Sequence, residues 1–141
     1  MILRTAAPGD HASVVGVIDE WWGRPLRTLV QPLSLEHFAD TSLIAEDEAS
    51  LAGFLVGFLS QTHADEAYIH FVGVRPDLRG TGLGRELYTE FFRRARDHGR
   101  TVVTCITAPV NTGSISFHAS MGFEVTMPAD GETHVRFRRE L

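Results

Sequence analysis

Apolar residues recur at Val14, Val15, Val17, Ile18, Trp21 and Trp22. That spacing predicts a helix, with Asp10 as its N-cap and with Gly23 and Pro25 as its stop. Residues 2–5 predict a short strand before it, and Ser34 to Asp40 a second, short helix after it. Residues 42–46 (SLIAE) and 51–60 (LAGFLVGFLS) then predict a hairpin around the acidic turn Asp47-Glu48. The β-branched and aromatic run 67–74 (AYIHFVGV) predicts another strand. Leu83, Leu87, Tyr88, Phe91, Phe92 and Ala95 mark an amphipathic helix over 84–98, closed by Gly99. Residues 101–107 (TVVTCIT) predict a strand. A helix opens at Asn111 or Thr112 and ends near Gly122, and 123–127 and 133–138 predict a final antiparallel pair.

Strand 67–74, helix 84–98 and strand 101–107 make a βαβ unit, which requires parallel strands and a right-handed crossover. The remaining strands are mostly antiparallel, so the expected fold class is a mixed α/β sheet. The 141 residues fit one domain over 1–141, without repeat or linker.

Composition narrows the function. With 43% hydrophobic and 22% charged residues, the chain reads as an ordinary soluble domain. No apolar run reaches the length of a membrane span, and the start MILRTAAPGD does not read as a secretory leader. The single cysteine, Cys105, cannot form an internal disulfide and suits a reducing cytoplasm. It falls within a strand and reads as core; an acyl-cysteine route is the remote alternative. The seven histidines show no metal-ligand spacing with a carboxylate, so no metal is expected. The net charge of −5 is uneven: residues 75–100 carry a local +3, leaving −8 elsewhere. That pattern fits a local anion site better than a nucleic-acid surface. The arginine-rich helix alternates with Glu86, Glu90 and Asp97, as a solvated face does. Lysine is absent, which excludes a lysine Schiff base.

The anion site has an obvious location. VRPDLRGTGLGREL (74–87) places Gly80, Gly82 and Gly84 between a strand and a helix. Free N–H groups of a first helical turn point into such a loop, and the helix dipole favours negative charge there. Glycines allow close approach of a phosphate and the φ values that aim several N–H groups inward. A Walker loop needs a lysine, and a dinucleotide fingerprint needs G-x-G-x-x-G, so neither fits. Arg79-Gly80-Thr81-Gly82-Leu83-Gly84 instead matches Arg/Gln-x-x-Gly-x-Gly/Ala after a strand ending in Val.

On VGVRPDLRGTGLG and, downstream, NTGSISFHASMGF, the chain resembles the GNAT superfamily of acyl-CoA-dependent N-acetyltransferases. The resemblance implies a twisted sheet of about six to seven strands with a splayed parallel central pair and about four helices. It implies acetyl-CoA as donor and an amine as acceptor, the compact chain favouring a small molecule over a protein tail. A non-catalytic acyl-CoA-binding module is the alternative. Arg79, Gly80, Thr81, Gly82, Leu83, Gly84 and Arg85 would surround the pyrophosphate. Val72 and Val74 would pair with the pantetheine arm, Gly73 would allow a bulge, and the Val74 N–H would face the thioester carbonyl. Asn111 and Phe117 would complete the cofactor contacts, Asn111 also serving as an N-cap.

Many relatives have Tyr after Phe in the second motif; here the pair is Phe117-His118. His118, partly protonated near neutral pH, is the candidate general acid, or else a packed helix histidine. His70, Tyr68 through water, or Glu66 at the start of the strand are the candidate bases; the alternative for His70 and Tyr68 is a half-buried pair beneath a helix, and an amine of low pKa needs no base. Trp21 and Trp22 would give one core residue and one wall of the acceptor pocket. Glu20, Glu36 and Asp40 are the acids available to attract a cationic amine, or are solvated surface. The sequence leaves the oligomeric state open; the resemblance makes a homodimer one option, with the C-terminal strands as its interface, and no nucleic-acid or membrane partner is expected.

Overall fold

The computed structural model describes residues 1–48 and 50–141. Seven strands form one sheet in the order β1-β2-β3-β4-β5-β7-β6. They are β1 (Ile2–Thr5), β2 (Leu43–Glu46), β3 (Leu51–Leu59), β4 (Glu66–Val74), β5 (Val102–Thr107), β6 (Glu124–Thr126) and β7 (Val135–Glu140). Among the described residues only β4 and β5 pair in parallel; every other pair is antiparallel. Four helices cover the sheet: α1 (His11–Trp22), α2 (Leu33–His37), α3 (Leu83–Asp97) and α4 (Thr112–Ser120). Two apolar layers result. Leu83, Leu87, Phe91 and Ala95 of α3, with Ile115 and Phe117 of α4, pack against Leu43, Leu55, Ala67 and Ile69. Val14, Ile18 and Trp21 of α1, with Leu35 of α2, pack on Ile44, Phe54 and Val56 from the opposite face.

Several expected boundaries move. The second helix spans Leu33–His37, and Ala39–Thr41 forms a separate 3-10 turn. The last strand runs two residues later than the pattern predicts, at Val135–Glu140. Asp10 precedes α1 but does not cap it with its side chain. Its carboxylate accepts from the Ala7 N–H and from Arg4, each at 2.8 Å, because an arginine is the stronger partner. Arg4 also pairs with Glu46, tying β1 to its neighbour β2. On α3 the arginines are engaged as the charge pattern predicts: Arg93 holds Glu90 and Asp97, and Arg94 holds Glu90. The hairpin turn between β2 and β3 is closed by the Asp47 N–H to Ser50 O at 3.1 Å; Ala49 lies outside the described residues.

Candidate functional site

The site begins where two parallel strands part. β4 and β5 pair only at Glu66–Val102, Ala67–Val103 and Tyr68–Thr104. Beyond Tyr68 the strands continue unpaired to Val74 and Thr107, and the gap opens into a cleft of about 940 Å³. A bulge shapes its wall. The register of β3 against β4 steps from Val56–Phe71 to Gly57–Ile69, so His70 is the extra residue. The bulge is therefore at His70 and not at Gly73 as expected. Gly73 is required for space instead: a methyl group there would lie 2.6 Å from both Trp22 and Phe54.

The free edge of β4 is supplied by alternation. The Arg75 N–H donates across to Ala52 O at 2.9 Å. Every second residue then turns its backbone groups to the other edge, so Val72 and Val74 direct theirs into the cleft.

The glycine loop lies at the mouth of this cleft. Gly80 and Gly82 have φ of +82° and +92°, in the left-handed region, with open space around both. They are glycines for conformation rather than for room. Arg79 donates to Trp21 O at 2.7 Å and so anchors the loop to the end of α1. Arg85 reaches Ser120 Oγ at 2.9 Å, bracing the loop against α4. The Glu86 N–H is the first of α3 with a helical acceptor, Gly82 O at 3.0 Å. The N–H groups of Gly80, Gly82, Leu83, Gly84 and Arg85 have no protein acceptor among the described residues. Five free donors on one turn at a helix start form a site for a multiply charged anion.

Deeper in the cleft, α3 and α4 bring two buried polar rings together. Tyr88 Oη lies 2.8 Å from His118 Nε2, and His118 Nδ1 lies 2.7 Å from Ser114 O. A carbonyl can only accept, so Nδ1 carries the proton and Nε2 accepts from the Tyr88 hydroxyl. The imidazole stacks on Phe137, with centroids 4.0 Å apart and planes 4° apart. Burial lowers the His118 pKa, and the Ser114 carbonyl only partly opposes this. Desolvation therefore moves His118 toward the neutral ring and away from the partly protonated state expected near neutral pH. Burial also raises Tyr88 well above the ordinary tyrosine value.

The other expected residues divide clearly. Trp21 is buried and stacks on Phe54, and half-buried Trp22 packs on Phe71 at 4.9 Å; both line the cleft. His70 and Tyr68 line it too. His70 donates its Nε2–H to Leu29 O at 2.7 Å, which leaves Nδ1 as an acceptor. Burial raises the pKa of Tyr68, with Cys105 adding to the effect. Asn111 and Phe117 lie along the opposite wall. Asn111 stands at the N-cap position of α4 but makes no side-chain cap bond; its amide donates to Thr107 Oγ1 at 3.0 Å and ties α4 to β5.

Glu66 does not belong to the site. It sits at the closed end of the β4–β5 pair, against Thr104, and is not part of the lining. Glu20, Glu36 and Asp40 are absent from the lining as well, and among the described residues no carboxylate faces the cleft. Its charged side chains are instead Arg24 and Arg79, and three histidines, His70, His118 and His134, also line it. Cys105 is buried in the cleft floor, where desolvation pushes its thiol up to about 12. It stays protonated, which disfavours an acyl-cysteine. Tyr88 and Arg24 are missed by sequence reasoning: the first reads as one more apolar helix position, and the second as part of a turn. No group of residues among those described is arranged to hold a metal ion, and no helix is long and apolar enough to cross a membrane.

A mixed sheet splayed at one parallel pair, with an anion loop at the mouth of the split, defines the class. The chain belongs to the acetyltransferase (GNAT) family, whose sequence profile matches residues 11–123. It is 31% identical over 123 residues to L-2,4-diaminobutyric acid acetyltransferase from Nocardia farcinica, covering 85% of this chain and 63% of that protein. It is 42% identical over 64 residues to an L-amino acid N-acyltransferase from Escherichia coli, covering 44% and 37%. The chain thus spans less than two thirds of the length of either relative. Among solved structures, the fold matches diaminobutyrate acetyltransferase from Paenibacillus lautus, in complex with L-2,4-diaminobutyric acid and coenzyme A. There the TM-score is 0.76, at 22% identity over 97% of this chain and 92% of that one. Ribosomal-protein-alanine N-acetyltransferase from Brucella melitensis matches with the same TM-score, 0.76, at 21% identity and full coverage of both chains.

Proposed function

We propose that this chain is an acetyl-CoA-dependent N-acetyltransferase acting on a small amine that carries a carboxylate. The observation behind this reading is the combination of five free amides at the start of α3 with the open edge of β4 beside them. The amides of Gly80, Gly82, Leu83, Gly84 and Arg85 suit a pyrophosphate, and the backbone of Val72 and Val74 suits a pantetheine arm added as a strand. Leu29, Ile106 and Val110, all exposed on the cleft lining, supply apolar surface for the arm and acyl group to cover.

A thioester carbonyl level with Tyr88 would meet β4 at Val72. Leu83 and Leu87 pack near Gly53, which pairs with Val74, whereas Phe91 packs near Gly57, which pairs with Ile69. Tyr88 falls between Leu87 and Phe91 along α3, as Val72 falls between Val74 and Ile69 along β4. This favours the Val72 N–H over that of Val74 as oxyanion donor, a contribution of about 3 kcal/mol in other enzymes. Both substrates held in one cleft react by direct attack of the amine on the acetyl carbon, much of the rate coming from positioning.

The charge of the cleft supports the acceptor class. No described acid lines the cleft to attract a cation, while Arg24 is exposed on the lining and its guanidinium has no hydrogen-bond or ion-pair partner among the described residues. An arginine in that position suits a carboxylate, in keeping with relatives named for amino acids. The test is thiol release from acetyl-CoA with the twenty protein amino acids, L-2,4-diaminobutyrate and 1,3-diaminopropane. Turnover with an amino acid and little with the diamine is expected, and Arg24→Gln lowers kcat/KM for that amino acid about tenfold. Binding of coenzyme A with no turnover on any amine would favour the non-catalytic module instead.

A further inference from the structure

Resting on that reading, we propose that Tyr88 is a catalytic residue and that Tyr88 and His118 act as one proton relay, Tyr88 touching the reacting atoms and His118 acting through it. The transfer must move one proton from nitrogen to sulfur. In the cleft both nitrogens of His118 are occupied, Nδ1 by the Ser114 carbonyl at 2.7 Å and Nε2 by the Tyr88 hydroxyl at 2.8 Å. His118 therefore presents no free nitrogen to a substrate. What the pair presents is the Tyr88 oxygen, whose hydrogen points into the imidazole and whose remaining lone pair is free to accept. Tyr88 lines the cleft together with Val72, Gly73 and Val74 of the splayed β4.

The steps balance. The amine nitrogen bonds to the acetyl carbon, and its proton passes to the Tyr88 oxygen as the Tyr88 hydrogen moves to His118 Nε2. The imidazolium is held by the Nδ1–H to Ser114 O bond. The carbon–sulfur bond then breaks with its electron pair on sulfur. The Nε2 proton returns to Tyr88 as the Tyr88 proton passes to the thiolate. Neither residue is changed at the end, and Tyr88 need never be a free phenolate.

The surroundings suit a transient charge on one ring. From β5, Cys105 couples electrostatically to Tyr88, and it stays a neutral thiol. From β4, Tyr68 couples to Cys105 and is likewise neutral. β7 contributes the Phe137 face, Phe117 and Phe123 pack edge-on to the imidazole, and His70 and His134 are further titratable residues of the lining. A neutral resting imidazole is the form that can take up a proton, in agreement with the direction in which burial moves it.

The experiment compares wild type, Tyr88→Phe, His118→Gln and the double variant with acetyl-CoA and the best amino acid from the panel, across pH 4.5–9. Each single variant is expected to lose about 10²–10³-fold in kcat, with the KM for acetyl-CoA within threefold of wild type. The double variant is expected to be no slower than the worse single one, because the two act as a unit. The acid limb of the wild-type kcat profile disappears in both single variants. In wild type, ¹⁵N histidine spectra show His118 protonated at Nδ1. Near-wild-type kcat for Tyr88→Phe with His118→Gln impaired overturns the relay and leaves the acetyltransferase standing, as do multiplicative losses or a ring protonated at Nε2. If Tyr88→Phe does not fold, the wild-type spectra and His118→Gln profile decide. No turnover by wild type removes the acetyltransferase reading and the relay with it.

Discussion

Three glycines show how differently one residue type can be used. Gly82 adopts φ +92° at the start of α3, so any side chain is strained whatever the space. Gly82→Ala is expected to cost about 1–2 kcal/mol of stability and to weaken coenzyme A binding by turning an amide away. Gly84 is helical, and a methyl group there meets the Phe117 ring at an ordinary 3.5 Å. Gly84→Ala is expected to be tolerated or to stabilise by up to about 1 kcal/mol. Gly73→Ala would drive Trp22 off the sheet and is expected to cost about 1–3 kcal/mol. Urea titrations of the three variants, each with and without coenzyme A, check all three; a destabilised Gly84→Ala would mean that the α3–α4 contact is tighter than its distances indicate. His118 adds a pH dependence at the same scale. Its folded pKa lies below its ordinary value of about 6.5, so the unfolded chain binds more protons in that window. Its contribution is full above pH ~6.5 and is lost as pH falls through the folded value. Wild type should therefore lose stability from pH 7 toward pH 5, and His118→Gln should lose less.

At the scale of the element, α3 carries the loop, the relay hydroxyl and an ion network together. Glu90, held by Arg93 and Arg94, is lowered to about 2. Its folded value is depressed, so its contribution is present above the unfolded glutamate value of about 4.3 and is lost as pH falls toward 2. Glu90→Gln is expected to flatten the acid limb of thermal stability below pH 5. At neutral pH it should cost under about 1 kcal/mol, the pairs being near the surface. The segment between α1 and α2 has its own organiser. Asp19 accepts from the N–H groups of Leu26 and Arg27, each at 2.9 Å, and so shapes the stretch that supplies Leu26 and Leu29 to the cleft. Asp19→Ala is expected to raise the KM of the acceptor several-fold while that of acetyl-CoA stays unchanged, as steady-state kinetics would show.

For the molecule as a whole, charge is divided to suit an anionic ligand. The chain carries −5 overall, yet the charged residues of the cleft are Arg24 and Arg79. An anion is steered to such a place in a salt-dependent way. Coenzyme A at about a hundred times its Kd adds about 2.7 kcal/mol of stability, which for a chain of this size raises Tm by roughly 5–12 °C. Acetyl-CoA and free coenzyme A should both give the shift and ATP little. Absence of a shift with any of them would detach the glycine loop from this chemistry.

The sequence by itself determined the element order, the parallel unit and the anion loop. Each depends on near neighbours: apolar spacing along α1 and α3, β-branched runs in β4 and β5, and glycines placed where φ turns positive. It also placed Val72, Val74 and Asn111 beside the split, through the resemblance carried by two motifs. The tertiary structure decided what depends on residues far apart in the chain. The bulge fell at His70 because β3 and β4 had to keep Ile69 and Val72 on the α3 face. Glu66 was left at the closed end because the parallel pairing starts there. Tyr88 and His118, thirty residues apart, met only when α3 and α4 packed on the same face of the sheet. Burial then set the protonation of His118, and no local pattern in the chain encodes the dielectric around a side chain.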